Sequence, residues 1–297
     1  MTVRFGVSPI AWANDDMPEL GGTTPLETIL ADARDLGFAG VELGGKFPRD
    51  ARTLAPLLAR YDLALVGGWH GGGLLARDVD AEIAAAQDHL DLLRALGVRV
   101  FIHAETSNAI HAAKGIPLSR SPRLDADGWA RFGERVTRFA DYIAAQGLAF
   151  AYHHHLGTVV ERPEDLDAFI DATGPAVGLT LDTGHAALAG IDPVDVIRRY
   201  PERIAHMHCK DIRRSVFARG GDRSFLDGVL AGMFTAPGDG DVDFVATMRA
   251  LAASGYKGWI VVEAEQDPAI ADPRASSALG LRTLKAEAAA AGLDVEA

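Results

Sequence analysis

The sequence contains a single cysteine, Cys209, so no disulfide can form within the chain. That suits a reducing, cytoplasmic setting. No run of about 20 apolar residues is present, so no membrane-spanning helix is expected. The opening residues from Thr2 to Gly6 carry neither a basic n-region nor an apolar h-region, and no secretion signal is expected there. Lys and Arg form no cluster and the net charge is −12, which argues against a nucleic-acid partner. The turn after the first apolar run, Ser8-Pro9-Ile10-Ala11-Trp12, has no glycine. A dinucleotide-binding open sheet would carry a glycine-rich fingerprint at that point.

The 297 residues instead alternate short apolar runs with amphipathic stretches. Strands are expected over Val3–Ser8, Gly40–Leu43, Leu63–Gly68, Val98–His103, Leu148–His153, Val177–Asp182, Ile204–His208 and Trp259–Val262. Helices are expected over Thr24–Leu36, Asp50–Tyr61, Val79–Leu96, Asp125–Gln146, Pro163–Ala172, Pro193–Tyr200, Val242–Ser254 and Ser276–Ala291. Gly37, Gly97, Gly147 and Gly255 close helices just before strands, as C-cap glycines do. Eight strand–helix units in strict alternation imply a parallel sheet, and eight close a (β/α)8 barrel. One barrel domain over residues 1–297 is expected, with loop insertions near 105–124 and 213–241. Both insertions follow strand C-termini, where barrel active sites lie.

The chemistry-bearing residues end consecutive strands. The fifth strand runs into His153-His154-His155 and the sixth into Asp182-Thr183-Gly184-His185. The seventh carries His206-Met207-His208-Cys209-Lys210-Asp211, and the eighth ends in Glu263-Ala264-Glu265. Any one of these histidines is as readily a capping or core residue as a ligand. Four adjacent strands ending this way point to a metal. Mixed imidazole and carboxylate donors suit Mn²⁺, Co²⁺, Fe²⁺ or Zn²⁺ better than Ca²⁺ or Mg²⁺. Alternation puts His206 with His208, Glu263 with Glu265 and His153 with His155 on common faces, which leaves the ligand within each pair open. Lys210 is a candidate acid or base, against a rim salt bridge with Asp211. Glu42 is a substrate contact or a buried ion-pair partner. Trp12, Asn14 and Asp15 are expected to form one wall of a polar pocket. Trp69 and His70 end the third strand ahead of Gly71-Gly72-Gly73, a phosphate loop or a lid hinge.

These motifs together resemble the inosose dehydratase family, within the xylose-isomerase-like TIM-barrel sugar isomerases and epimerases. The resemblance runs along the whole chain. It rests on Ser8 to Asp16, Glu19 to Gly22, Glu42 to Arg49, Glu105 to Asn108, Tyr152 to His155 with Gly157-Thr158, and Leu181 to His185. It continues through His206 to Asp211, Ser224 to Asp227, Pro237 to Gly240 and Glu263 to Pro268. It implies His153, Asp182, His208 and Glu263 as metal ligands. At the fifth strand His153 stands where the superfamily has Glu, with His155 as its rival, and Gly45 stands where the family has Asn. Catalytic roles fall to His185, Lys210 and Glu265. Contacts to a small cyclic polyol ketone fall to Trp12, Asn14, Glu42, Lys46, His70 and His155. The implied cofactor is Mn²⁺ or Co²⁺, with Zn²⁺ and Fe²⁺ as alternatives. The implied reaction is dehydration of scyllo-inosose (2-keto-myo-inositol) to a trihydroxycyclohexane-1,2-dione in myo-inositol catabolism, by way of a metal-stabilised enolate. A ketose or inosose epimerase or isomerase on the same barrel is the alternative, and a sugar sensor without catalysis is a second. Barrels of this type often associate, so a homo-oligomer is an open expectation. No membrane partner is expected.

Overall fold

The computed structural model describes residues 2–296. Its first half runs β1 (Val3–Val7), α1 (Leu26–Leu36), β2 (Gly40–Leu43), α2 (Ala51–Ala59), β3 (Ala64–Gly72), α3 (Val79–Ala95), β4 (Val100–Glu105) and α4 (Ala126–Ala145). The second half runs β5 (Ala149–His153), α5 (Pro163–Ala172), β6 (Val177–Asp182), α6 (Thr183–Ala189), α7 (Pro193–Arg199), β7 (Ile204–Ile212), α8 (Arg214–Arg219), α9 (Phe225–Leu230), β8 (Phe234–Thr235), α10 (Phe244–Ser254), β9 (Gly258–Glu263) and α11 (Pro273–Ala290). β1 to β7 and β9 pair in parallel, each with its neighbour. The β6–β7 and β9–β1 pairings close the ring. The fold is therefore the expected (β/α)8 barrel.

Local chemistry explains the elements. Asp78, Asp125 and Asp243 cap α3, α4 and α10 by accepting a backbone N–H from the first turn. Gly37 ends α1 at φ 85, a conformation that costs glycine nothing. β4 is buried along its whole length, as a strand covered on both faces must be. Phe101, Phe132, Phe139, Phe150, Tyr152 and Phe169 are all nearly or fully buried beneath the outer helices. Each such side chain contributes roughly 1.5–3 kcal/mol of burial energy.

Three expectations change. β3, β4 and β7 run beyond their predicted ends, to Gly72, Glu105 and Ile212, because neighbouring strands go on pairing there. A helix unseen in the sequence, α6, starts directly after β6. Asp182 caps it by accepting from the N–H groups of Gly184 and His185, both at 2.8 Å. Segment 213–241 is not a plain loop. It folds into α8, α9 and β8, and β8 pairs antiparallel with the end of β7. Segment 105–124 is largely irregular, and it is tied to the other insertion. The Leu118 N–H donates to the Arg223 carbonyl at 2.9 Å, and Ser119 Oγ to Asp222 at 2.6 Å.

Candidate metal and active site

Strand alternation decides which side chains enter the barrel. On β7, His206, His208 and Lys210 point inward, while Met207 and Cys209 face the helices. The pairing sets Asp182 beside His208 and Lys210 beside Glu263. His153, Asp182 and His208 therefore converge at the C-terminal rim, with ligand atoms within 4.8 Å of one another, and Glu263 flanks them beside His208. All four are buried.

Their facing atoms are closely spaced. His153 Nε2 lies 3.2 Å from His208 Nδ1 and 3.7 Å from Asp182 Oδ2. His208 Nδ1 lies 3.9 Å from Asp182 Oδ2 and 3.6 Å from Glu263 Oε2. Four ligands bonded to a cation at about 2.0–2.2 Å stand about 3.3–3.6 Å apart in a tetrahedron. The buried Asp182 Oδ2 and Glu263 Oε2 make no hydrogen bond among the described residues, although Glu263 Oε2 has Lys210 Nζ at 3.1 Å. Two buried carboxylate oxygens left this way fit a cation, because buried acceptors are normally satisfied. Glu42, His206 and His208 form a neighbouring triad. Its acceptor is already taken, since Glu42 Oε1 accepts from His206 Nε2 at 2.9 Å and from His208 Nε2 at 3.0 Å.

The charges favour ligation at His153 and Asp182, while His208 carries a proton that a bound cation would displace. Burial lowers His153 to about 4, leaving its imidazole neutral at pH 7. Burial opposes ionisation of Asp182, but Lys210, His185 and His153 hold it well below the usual carboxylate range. Burial pushes Glu263 up, with Asp182 and Glu42 adding to the effect. Burial would depress His208, yet Glu42 and Glu263 outweigh it and raise it to about 9.

Lys210 sits among these acids. Its ammonium donates to Glu265 Oε2 at 2.8 Å and lies 3.2 Å from His185 Nε2 and 3.8 Å from Asp182 Oδ2. Burial alone would lower its pKa, but Glu263, Glu265 and Asp182 raise it, so it stays protonated. The His185 and His155 rings pack with centroids 3.7 Å apart and planes tilted by 37°. Burial keeps both neutral. Phe225 and Phe234, from the 213–241 segment, pack on this pair.

A cavity of about 220 Å³ opens onto the cluster. His153, His208, Glu263, Lys210, Glu265, His185, His155 and Glu42 all line it, while Asp182 lies behind His153. Four expected substrate contacts do not reach its wall. His70 is displaced by alternation: Trp69 takes the inward position and His70 turns outward to Glu82 on α3, at 2.8 Å. Trp12 is buried, with Nε1 donating to Asp32 of α1 at 2.9 Å. Lys46 reaches away to the Gly22 carbonyl at 2.6 Å. Asn14 stands behind the wall. Its Oδ1 accepts from the N–H groups of Asp16 and Met17, and its Nδ2 meets Glu265 at 3.5 Å.

Sequence reasoning passed over Asp16, Arg49 and His111, which line the cavity from loops far apart in the chain. The Asn14-Asp15-Asp16 run after the first strand was the one signal for Asp16. Asp15 clamps the Gly45 N–H at 2.8 Å, and a side chain at Gly45 would meet its carboxylate at 2.6 Å. Glycine at position 45 thus leaves room for the Asp15 carboxylate.

A family model described as "Xylose isomerase-like TIM barrel" matches residues 30–287. The chain is 48% identical over 294 residues to "Rhizopine catabolism protein MocC" of Rhizobium meliloti, covering 98% of this chain and 90% of that one. It is 39% identical to "Inosose dehydratase" of Geobacillus thermodenitrificans, covering 91% and 92%. Among solved structures, "Structure of L-ribulose 3-epimerase" superposes with a TM-score of 0.66 at 21% identity, covering 98% and 96%. A probable 3-DHS dehydratase from Bacillus anthracis superposes at 0.65 with 15% identity, covering 95% and 98%. Those two likenesses concern the fold alone, which hosts both epimerases and dehydratases. The length and level of the sequence matches go further: this chain belongs to the xylose isomerase-like TIM-barrel family and, within it, to the group that holds the inosose dehydratases.

Proposed function

We propose that the chain is a divalent-metal-dependent inosose dehydratase, a hydro-lyase acting on scyllo-inosose in inositol catabolism. The observation that carries this reading is the His153–Asp182–His208 cluster, flanked by Glu263, meeting a Lys210–Glu265 pair at one cavity, in a chain similar to inosose dehydratases over nine-tenths of its length. His153, Asp182, His208 and Glu263 would hold the ion. Mn²⁺ or Co²⁺ suits two imidazoles with two carboxylates, and Zn²⁺ or Fe²⁺ fits the same donors. A bound cation supplies Lewis-acid stabilisation of the negative charge that develops on the ketone oxygen.

The chain's own residues move the protons. Glu265 takes the proton from the carbon next to the ketone. The electron pair left behind forms the ring double bond as the β-hydroxyl departs. The Lys210 ammonium protonates that hydroxyl, which leaves as water. Lys210 regains a proton from Glu265 across their 2.8 Å hydrogen bond, so the abstracted proton ends on the water. The enol product then ketonises to the dione. His185 and His155, neutral and packed against each other, orient the ring hydroxyls.

The test is incubation of purified, metal-loaded protein with scyllo-inosose. Dione absorbance should grow as the substrate disappears. Accumulation of an epimer without dione would replace this reading with the epimerase one. Absence of any turnover alongside tight sugar binding would favour a sensor.

A further inference from the structure

A second cluster lies outside the barrel, on the far side of β3 and β4 from the cavity. The strand register places His70 directly beside His103. The first turn of α3 brings Glu82 over both. One ligand atom from each residue lies within 4.8 Å of the others.

His103 is fully buried, and neither of its ring nitrogens has a hydrogen-bond partner among the described residues. Burial pushes its pKa down to about 3, so the ring is neutral and carries one free lone pair and one unmatched N–H. Buried polar atoms left in this state are rare and call for a partner. The glycines after Trp69 and His70 serve this ring. A Cβ on Gly72 would run into it, and the Gly73 N–H donates to Glu82 Oε2 at 3.0 Å.

Glu82 is anchored as a ligating carboxylate should be. Arg77 Nε donates to Oε2 at 2.6 Å alongside the Gly73 N–H. Oε1 is left facing His70 Nε2 at 2.8 Å. Metal-binding carboxylates are typically held in this way through their other oxygen. His70 and Arg77 keep partial exposure, at 11% and 37% of their side chains, which leaves an approach from solvent.

We propose that His70, Glu82 and His103 form a second divalent-cation site, of the kind that takes Zn²⁺ or Co²⁺, pinning α3 to β3 and β4. Two imidazoles and one carboxylate are a donor set for these ions. The cation replaces the His70–Glu82 hydrogen bond and gives the His103 lone pair its partner. The site shares no residue with the one proposed for catalysis.

The experiment counts metal in protein loaded with Zn²⁺ and dialysed. Wild type should retain two equivalents, and H103F and D182A one each. Phe at position 103 suits its neighbours Phe139, Phe150 and Tyr152, and folding is checked by circular dichroism. Should H103F misfold, H70Q, at a partly exposed position, should show the same loss of one equivalent. Co²⁺-loaded D182A should show visible d–d bands that vanish in the D182A/H70Q double variant. A wild type with one equivalent that D182A loses overturns the proposal, and means that a buried water serves His103. One equivalent that H103F loses and D182A keeps supports it, and overturns the catalytic-metal reading instead. Equal metal content in wild type and H103F also overturns it.

Discussion

His208 divides its two ring nitrogens between Glu42 and the ligand cluster. Nε2–H donates to Glu42 Oε1 at 3.0 Å, which turns Nδ1 toward His153, Asp182 and Glu263. A carboxylate behind a ligating imidazole orients the ring and raises its basicity, and its loss typically costs 10–100-fold in metal affinity. E42Q should therefore weaken Mn²⁺ or Co²⁺ binding by about that factor. A chelator-competition titration reads the effect. Affinity equal to wild type would remove Glu42 from this role.

Lys210 and its carboxylates make a second prediction. Lys210 is 2% exposed and faces Glu263, Glu265 and Asp182. Removing one partner of a buried ion pair costs about 3–5 kcal/mol because the other charges are left uncompensated. K210M should lower stability by that order, measured by urea unfolding. It should also lower kcat by about 10²–10⁴-fold, the usual contribution of a positioned acid. Lost stability with kcat unchanged would make Lys210 structural only.

The sequence could be read furthest where one physical rule controls both fold and site. Parallel strands that end at one rim must present alternate residues to the same cavity. That is why the ends of β5, β6, β7 and β9 could be read as one rim and the (β/α)8 fold followed from counting units, whereas the choice of His153, His208 and Glu263 within their pairs came from the family resemblance and not from alternation. The same rule was unavailable for His70, because the register of β3 comes from its pairing with β4 rather than from its own pattern. Trp12 failed for another reason. An indole after a strand fits a pocket wall and a core equally well, and only the position of Asp32 on α1 decides. Asp16, Arg49 and His111 come from loops whose course depends on contacts distant in sequence, such as Ser119 with Asp222. Helix α6 was hidden because its N-cap is Asp182 itself, a residue that already served as a strand end.

Gly72 gives a test of packing in the outer cluster. Its Cα lies against the His103 ring, which has no space to retreat among Phe139, Phe150 and Tyr152. Overpacking of this kind costs roughly 1–3 kcal/mol. G72A should lower the unfolding free energy by that order. The double variant G72A/H103A should recover part of the loss, because the clashing ring is gone. Additive losses in the double variant would show that the ring is not what excludes a side chain at position 72.

Asp16 should make stability depend on pH in an unusual direction for a carboxylate. Burial raises its pKa to about 7, with Glu265 and Asp15 adding and Lys210 opposing. Its folded pKa thus lies above the unfolded value near 3.8. The favourable contribution is complete below about pH 4 and is lost as pH rises through about 7, because the folded state then gives up a proton it prefers to keep. The carboxylate is 30% exposed, so the penalty at pH 8.5 is of order 1–2 kcal/mol after discounting for solvent screening. D16N cannot ionise and should escape it. Urea unfolding of wild type and D16N should diverge between pH 5 and pH 8.5, the variant gaining relative stability at the higher pH. A constant difference across that range would mean that Asp16 is ionised at its ordinary pKa.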